Sequence, residues 1–263
     1  MDTDLELDEW VAASMDAEAE LLPFLPDLFS DLEDLGAKAH EVVDVIRRAG
    51  GLDPRSRVLD LGCGKGASAI AVAQEFGANV DGVDGNRAFV EHATVRSEDE
   101  GVGALCNFTA GDIRDAGPDN YDAVMLLAMG PIYGGQDATV GRLRTCVRPG
   151  GMIVLDDAFI ADGATVEPDE LEHCHDRATT RALLQAHGDR ILVEQTIDGP
   201  ETRSYYEGVH ALVERRARQL AARHPHLANV FEEYIERQRH EIKLLTGPVV
   251  GALWVLERAP SAI

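Results

Sequence analysis

The sequence predicts an α/β fold, a doubly wound and mostly parallel sheet, and three observations predict it. Short apolar runs alternate with helical runs between residues 55 and 158. The stretch Val58-Leu-Asp-Leu-Gly-Cys-Gly-Lys-Gly-Ala67 reads as a buried strand, a turn holding three glycines and a helix opening. The next apolar run ends on an acid, Asp84. Strands that alternate with helices form a parallel sheet, and the shared hand of the crossovers gathers the strand-to-helix turns at one edge.

Taken in order, residues 4–49 read as two or three helical pieces. Leu5–Leu22 is acidic with few apolar positions, and Pro23 and Pro26 interrupt it. From Asp27 the apolar residues Leu28, Leu32, Leu35, Val42, Val43 and Ile46 return at helical spacing. Gly50-Gly51 stops the last helix, and Asp53-Pro54 turns the chain into strand one. Trp10, Phe24 and Phe29 either pack on the main domain or form a lid; the two roles are compatible.

The glycine turn follows. Gly62, Gly64 and Gly66 supply backbone angles closed to other residues and let a ligand lie against the main chain. The helix Ala67–Phe76 offers free N–H groups and a positive dipole end to that ligand. Gly62-x-Gly64-x-x-Ala67 also satisfies the dinucleotide fingerprint, so an NAD-dependent oxidoreductase is one reading of the turn. Strand two, Ala78–Val83, ends at Asp84-Gly85-Asn86. An acid 22 residues after Gly62 sits where a carboxylate accepts from both hydroxyls of a ribose.

A helix at Arg87–Gly101 leads to strand three, Leu105–Thr109, and then to Gly111-Asp112-Ile113. Strand four is Tyr121–Leu127, followed by a helix over Val140–Val147. Arg148-Pro-Gly-Gly151 turns into strand five, Met152–Leu155, closed by Asp156-Asp157.

Composition narrows the partners. Of 263 residues 45% are apolar, enough for a core. No run reaches the ~18 apolar residues of a membrane span. The first ten residues are acidic, unlike a signal peptide. Cys63, Cys106, Cys146 and Cys174 lack C-x-x-C spacing, which indicates neither a zinc site nor a disulfide frame. The expectation is a cytoplasmic protein. Asp and Glu total 47 against 24 Lys and Arg, a net charge of −23, and Lys38, Lys65 and Lys243 are the only lysines. Such a surface repels nucleic acid, whose binding rests on phosphate neutralisation, and points to a small-molecule partner with no membrane role. A salt-loving host would explain the acidity, since salt screens self-repulsion.

Asp60-Leu-Gly62-Cys-Gly64-Lys-Gly66, the acid Asp84, Gly111-Asp112-Ile113, the strand Tyr121–Leu127 and the turn Arg148–Gly151 together resemble the successive motifs of class I S-adenosylmethionine-dependent methyltransferases. The resemblance covers about residues 55–158, and the full set is specific where no single member is. A dinucleotide enzyme gives no reason for Gly-Asp-Ile there or for Asp60 inside strand one.

The resemblance implies S-adenosylmethionine as cofactor. It also implies a Rossmann-like seven-stranded sheet, with a sixth strand at Arg190–Thr196 after a helix at Leu171–His187, and an antiparallel last strand at Val249–Leu256. The expected cofactor residues are Asp60, Gly62, Cys63, Gly64, Gly66, Asp84, Gly85, Asn86, Gly111, Asp112, Ile113 and Leu127. Asp112 would reach the adenine amino group, and Ile113 would lie on the ring. One domain is expected over residues 1–263: an N-terminal extension or lid (1–49), a cofactor core (50–197), a helical insert (198–247) and a final strand and tail (248–263). Inserts of this kind roof the substrate pocket in related small-molecule enzymes.

Methyl transfer is an in-line displacement in which positioning supplies much of the rate, and a base is needed only for a protonated nucleophile. Met129, Tyr133, Asp156 and Asp157 should face the methyl group, with Asp157 and Tyr133 the choices for orientation or proton removal. His173-Cys174-His175 does not suggest a metal, because helical neighbours point about 100° apart. His210, His240, Tyr205, Tyr206 and Tyr234 either line the pocket or pack the insert, and Arg215, Arg216 and Arg218 read as a solvated face. The expectation is a methyltransferase acting on a small molecule, as a monomer or homodimer. A cofactor-binding but catalytically silent relative is the alternative from another class, and aminopropyl transfer has no supporting motif.

Overall fold

The computed structural model describes residues 7–130, 132–165 and 174–260. The chain enters through α1 (Leu7–Ser14), a 3-10 helix (Ala19–Phe24), α2 (Leu25–Leu28) and α3 (Ala39–Arg48). The core then alternates β1 (Arg57–Leu61), α4 (Ala67–Phe76), β2 (Asn79–Asp84), α5 (Arg87–Asp99), β3 (Cys106–Ala110) and β4 (Tyr121–Leu126). It continues through α6 (Gln136–Leu143), β5 (Val147–Ile160), α7 (Arg177–Leu184) and β6 (Arg190–Ile197). Two long helices, α8 (Pro200–Arg223) and α9 (Ala228–Leu245), precede β7 (Val249–Glu257).

The seven strands form one sheet in the order β3-β2-β1-β4-β5-β7-β6. All pairs are parallel except those of β7, which runs antiparallel to both β5 and β6. This is the Rossmann-like methyltransferase fold. Both faces of the sheet are covered. Leu59, Leu61, Val124, Leu126, Ile153 and Leu155 pack on one side. Val58, Ala123, Met125 and Val154 pack with α3 and α4 on the other. Strict alternation along each strand sorts the residues between the two.

Several elements differ from the sequence reading, each for a physical reason. β5 runs on through Asp156 and Asp157 to Ile160 because β7 pairs with it from Met152 to Ile160. The two carboxylates are tolerated because they reach the cavity edge of the sheet. Arg148–Gly151 lies within β5 as an irregularity, where the pairing shifts between Tyr121↔Val147 and Ala123↔Met152 and Gly150 takes a φ of +75°. α6 starts four residues early, at Gln136 after Gly134-Gly135, and Val147 leaves it to pair with Tyr121. Residues 4–6 of the expected N-terminal helix and 171–173 of the expected helix Leu171–His187 fall outside the described residues, and the described part of the latter forms a helix only over Arg177–Leu184, capped by Asp176.

A third apolar cluster joins what the sequence separates. Leu21, Leu25 and Leu28 from the N-terminal segment pack with Val213, Ala217 and Leu220 of α8 and with Phe231, Tyr234 and Ile235 of α9. Arg215 and Arg216 are not a free solvated face: they grip Asp31 at 2.8 and 2.6 Å, fastening α8 to the same segment. Among the described residues no helix is long and apolar enough to cross a membrane.

Candidate functional site

The turn after β1 has the geometry that its glycines allow. Gly62, Gly64 and Gly66 all take positive φ, at 76°, 50° and 79°, a region that side chains with a Cβ rarely enter. A Cβ on Gly62 would also fall 2.5 Å from the Met129 sulfur. Gly66 caps α4, whose first N–H groups face the turn. β2 fixes the other side. One oxygen of Asp84 accepts from the Gly64 amide and the other from the Asn86 amide, both at 2.8 Å. Each oxygen keeps a lone pair for a second donor, so the carboxylate can still take two hydroxyls.

These residues border a cavity of about 390 Å³. Asp60, Gly62, Cys63, Gly64, Asp84, Gly85, Ile113, Leu127 and Asp157 all line it. Asp60 is 2% exposed and makes no hydrogen bond among the described residues; burial and then the nearby Asp84 push its carboxyl up to about 7. Burial also raises Asp84, against the two amides that lower it. Cys63 is a buried thiol that burial holds well above its ordinary range.

Other expected residues stand behind this wall. Gly66 holds the turn, and the Gly111 amide donates to the Asp84 carbonyl at 2.9 Å. Asn86 is buried and caps α5, accepting from Ala88 and Phe89 amides at 3.0 and 3.3 Å. Asp112 is ion-paired with Arg114 at 2.6 Å and caps a short 3-10 turn, and that guanidinium holds its carboxyl low. Tyr133 donates its hydroxyl to the Ile113 carbonyl at 3.0 Å, and burial raises the phenol to about 12.

Within the second half of β5 the two acids part. Asp157 lies on the α6 face, where its carboxylate takes the Ala158 amide at 2.7 Å and the Gln136 side chain. Asp156 faces the opposite way, toward α3 and α8, and lines the cavity with no hydrogen bond among the described residues. Tyr205, Tyr206 and Val209 of α8 and Glu241, Ile242 and Leu245 of α9 close this half. The N-terminal segment closes the other with Trp10, Val11 and Met15. A Cβ on Gly85 would meet Val11 at 2.3 Å, so glycine there lets α1 lie against the tip of β2. Neither His210 nor His240 reaches the cavity, and Tyr234 is fully buried in the third cluster.

Sequence reasoning missed Lys65, Asp16 and Glu241. Lys65 is buried and donates to the Phe29 and Leu32 carbonyls, both at 2.8 Å. Its one sequence signal was its rarity, as one of three lysines. Asp16 of the N-terminal segment and Glu241 of α9 meet carboxyl to carboxyl in the cavity wall. Ala128, after β4, has a φ of +53°, a strained angle for a residue with a Cβ.

Comparison with known proteins agrees with this architecture. Residues 58–151 match the family model described as a methyltransferase domain. A sterol 24-C-methyltransferase of Yarrowia lipolytica is 35% identical over 117 residues, 43% of this chain, and the chain spans 30% of that relative's length. A carboxy-S-adenosyl-L-methionine synthase of Shewanella woodyi is 26% identical over 188 residues, covering 67% of this chain and 71% of the relative. Among solved structures, a methyltransferase of Thiobacillus denitrificans in complex with S-adenosyl-L-homocysteine superposes with a TM-score of 0.74 at 20% identity, over 89% of this chain and 97% of that one. With the motif order, the turn geometry and the sheet order, these matches show a methyltransferase-domain match over residues 58–151 and the Rossmann-like methyltransferase fold over most of the chain.

Proposed function

We propose that this chain binds S-adenosylmethionine at the glycine turn and transfers its methyl group to a small-molecule acceptor held under α8 and α9. The observation that carries the reading is the continuity of one cavity from the Gly62–Gly66 turn and Asp84 to the chamber of Asp156, Tyr205 and Tyr206. The residues fit the cofactor. Asp84 has two acceptor positions to spare for ribose hydroxyls, and Asp60 is a buried carboxyl awaiting a cation. Ile113 offers an apolar wall for the adenine.

When bound, the cofactor supplies an already activated methyl group. The chain contributes position: rigid strand ends hold one reactant, helices hold the other, and the covered cavity limits water. Asp157 and Tyr133 serve in this reading as orienting groups on the α6 side, Asp157 through Gln136 and Tyr133 through the Ile113 carbonyl. The four cysteines are all free, which supports a reducing, cytoplasmic setting. A monomer or homodimer suffices, since the cavity is enclosed by one chain. The acidic composition supports adaptation to a salt-rich cell.

Turnover of S-adenosylmethionine to S-adenosylhomocysteine with a pooled metabolite extract tests the reading. Product formation supports it. Tight binding without product from any pool would favour a silent cofactor-binding protein, and tight NADH binding would remove the family-based reading of the turn.

A further inference from the structure

The half of the cavity under α8 and α9 holds more carboxyl groups than the cofactor reading uses. Asp60 and Asp156 lie on the same face of the sheet: Asp60 pairs with Met125, Met125 pairs with Val154, and Asp156 is two residues further on. Two strand spacings and a two-residue step separate them by roughly 12 Å. A cation seated at Asp60 therefore does not neutralise Asp156. Asp156 makes no hydrogen bond among the described residues, and its charged neighbours are the acids Asp157 and Glu41. Tyr206 lies within electrostatic reach of Asp156, Glu241 and Glu41. The Tyr205 and Tyr206 rings meet edge to face at 5.7 Å, giving the chamber an aromatic wall.

We propose that the acceptor is an amine, delivered as an ammonium ion and held between the Asp156 carboxylate and the face of Tyr206, with Glu241 adding to the negative field. This rests on the methyltransferase reading. The chain already uses this chemistry beside the chamber: the Lys38 ammonium sits 4.6 Å over the Tyr205 ring and 3.5 Å from Glu41. Ammonium ions are stabilised by ring faces and by carboxylates together. Among the described residues the acids do not converge in threes as a metal site requires, so an organic cation fits them better than a metal ion.

The step balances. The ammonium gives one proton to Asp156, and the freed nitrogen lone pair forms the bond to the methyl carbon. The carbon–sulfur bond breaks with its electron pair going to sulfur, leaving a neutral thioether. The methylated amine carries the positive charge away, and Asp156 releases its proton to solvent. Burial among acids raises the Asp156 carboxyl to about 7, where a carboxylate can take a proton and return it near neutrality.

The test uses the full chain with S-adenosylhomocysteine bound, titrated calorimetrically with choline and with its neutral isostere 3,3-dimethyl-1-butanol. Choline cannot accept a methyl group at nitrogen, so it reports the cation site alone. It should bind about tenfold or more tighter than the alcohol, and Asp156→Asn should erase the difference while leaving S-adenosylhomocysteine affinity intact. Tyr206→Ala is the second variant, weakening choline in the same way, and melting curves establish that both variants fold. Pooled primary and secondary amines should then yield S-adenosylhomocysteine from S-adenosylmethionine where pooled alcohols, thiols and alkenes do not. Equal binding of choline and the alcohol, or turnover with the neutral pool alone, overturns the proposal. Choline selectivity with no turnover from any pool supports the cation site and removes the methyltransferase reading instead.

Discussion

The Lys65 ammonium donates to the Leu32 carbonyl at 2.8 Å, from the middle of the glycine turn to the N-terminal segment, and a second bond of equal length reaches Phe29. The residue that the methyltransferase motif leaves unspecified thus ties the cofactor turn to the segment that covers it. Lys65→Met should keep much of the packing and lose both bonds. Hydrogen bonds from a charged group contribute about 1.5–3 kcal/mol each at most, and a partly compensated loss corresponds to a fall of several degrees in melting temperature. Limited proteolysis should cut first between residues 16 and 35. An unchanged melting curve and cleavage pattern would show the tie to be dispensable.

Asp84 holds the turn as well as lining the cavity. Asp84→Ala removes the acceptors of two backbone amides and the proposed ribose contact together, so S-adenosylmethionine affinity should fall by about 1.5–3 kcal/mol. Asp84→Asn keeps one acceptor and should fall less. Calorimetry giving wild-type affinity for Asp84→Ala would overturn the ribose assignment.

What the sequence reveals and what it hides divide along the sheet. The turn, Asp60 and Asp84 are legible because glycine angles and a strand-end acid are local requirements, written within some thirty residues. The strand order follows from the same alternation. The proposed acceptor chamber is not local: Asp156, Tyr206 and Glu241 come from three elements spread over the last 108 residues. β5 is covered on both faces, so its apolar pattern could not say which of two adjacent acids would find a partner. Asp157 finds Gln136 and the Ala158 amide, and Asp156 finds no hydrogen-bond partner among the described residues. Arg216 likewise looked solvated because its partner, Asp31, lies 185 residues away.

The net charge of −23 makes a prediction about salt. Raising potassium chloride from 0.05 M to about 1 M shortens the screening length to about 3 Å, so uncompensated repulsion should weaken and the melting temperature should rise. A curve that stays flat or falls across that range removes the salt-adaptation reading.

Stability should also depend on pH with a sign opposite to that of ordinary acid denaturation. Burial raises Asp60 and Asp156 from 3.8 to about 7, helped by Asp84 in the first case and by Asp157 and Glu41 in the second. Asp34, Asp84 and Asp157 shift upward for the same first cause. Glu241 rises too, by burial and by Asp16, but it is exposed to the cavity, so solvent screening reduces its share. Between about pH 4 and 7 the folded chain keeps protons that the unfolded chain has released, so stability falls as pH rises through that window. His210, lowered by burial, acts the other way, and so do Asp31, Asp112, Asp119, Asp122 and Asp176, lowered by their hydrogen-bond partners. The lowered carboxyls act mainly below about pH 5, where the unfolded chain still holds their protons. The ligand-free protein should therefore melt highest near pH 5 and lower at pH 7.5, where the buried acids are charged. Asp156→Asn should flatten the slope, and so should a bound ammonium ion, which favours the charged form. A melting temperature that climbs from pH 5 to 7.5 in the wild type would mean that these carboxyls ionise freely, and the chamber would lose its claim to attract a cation.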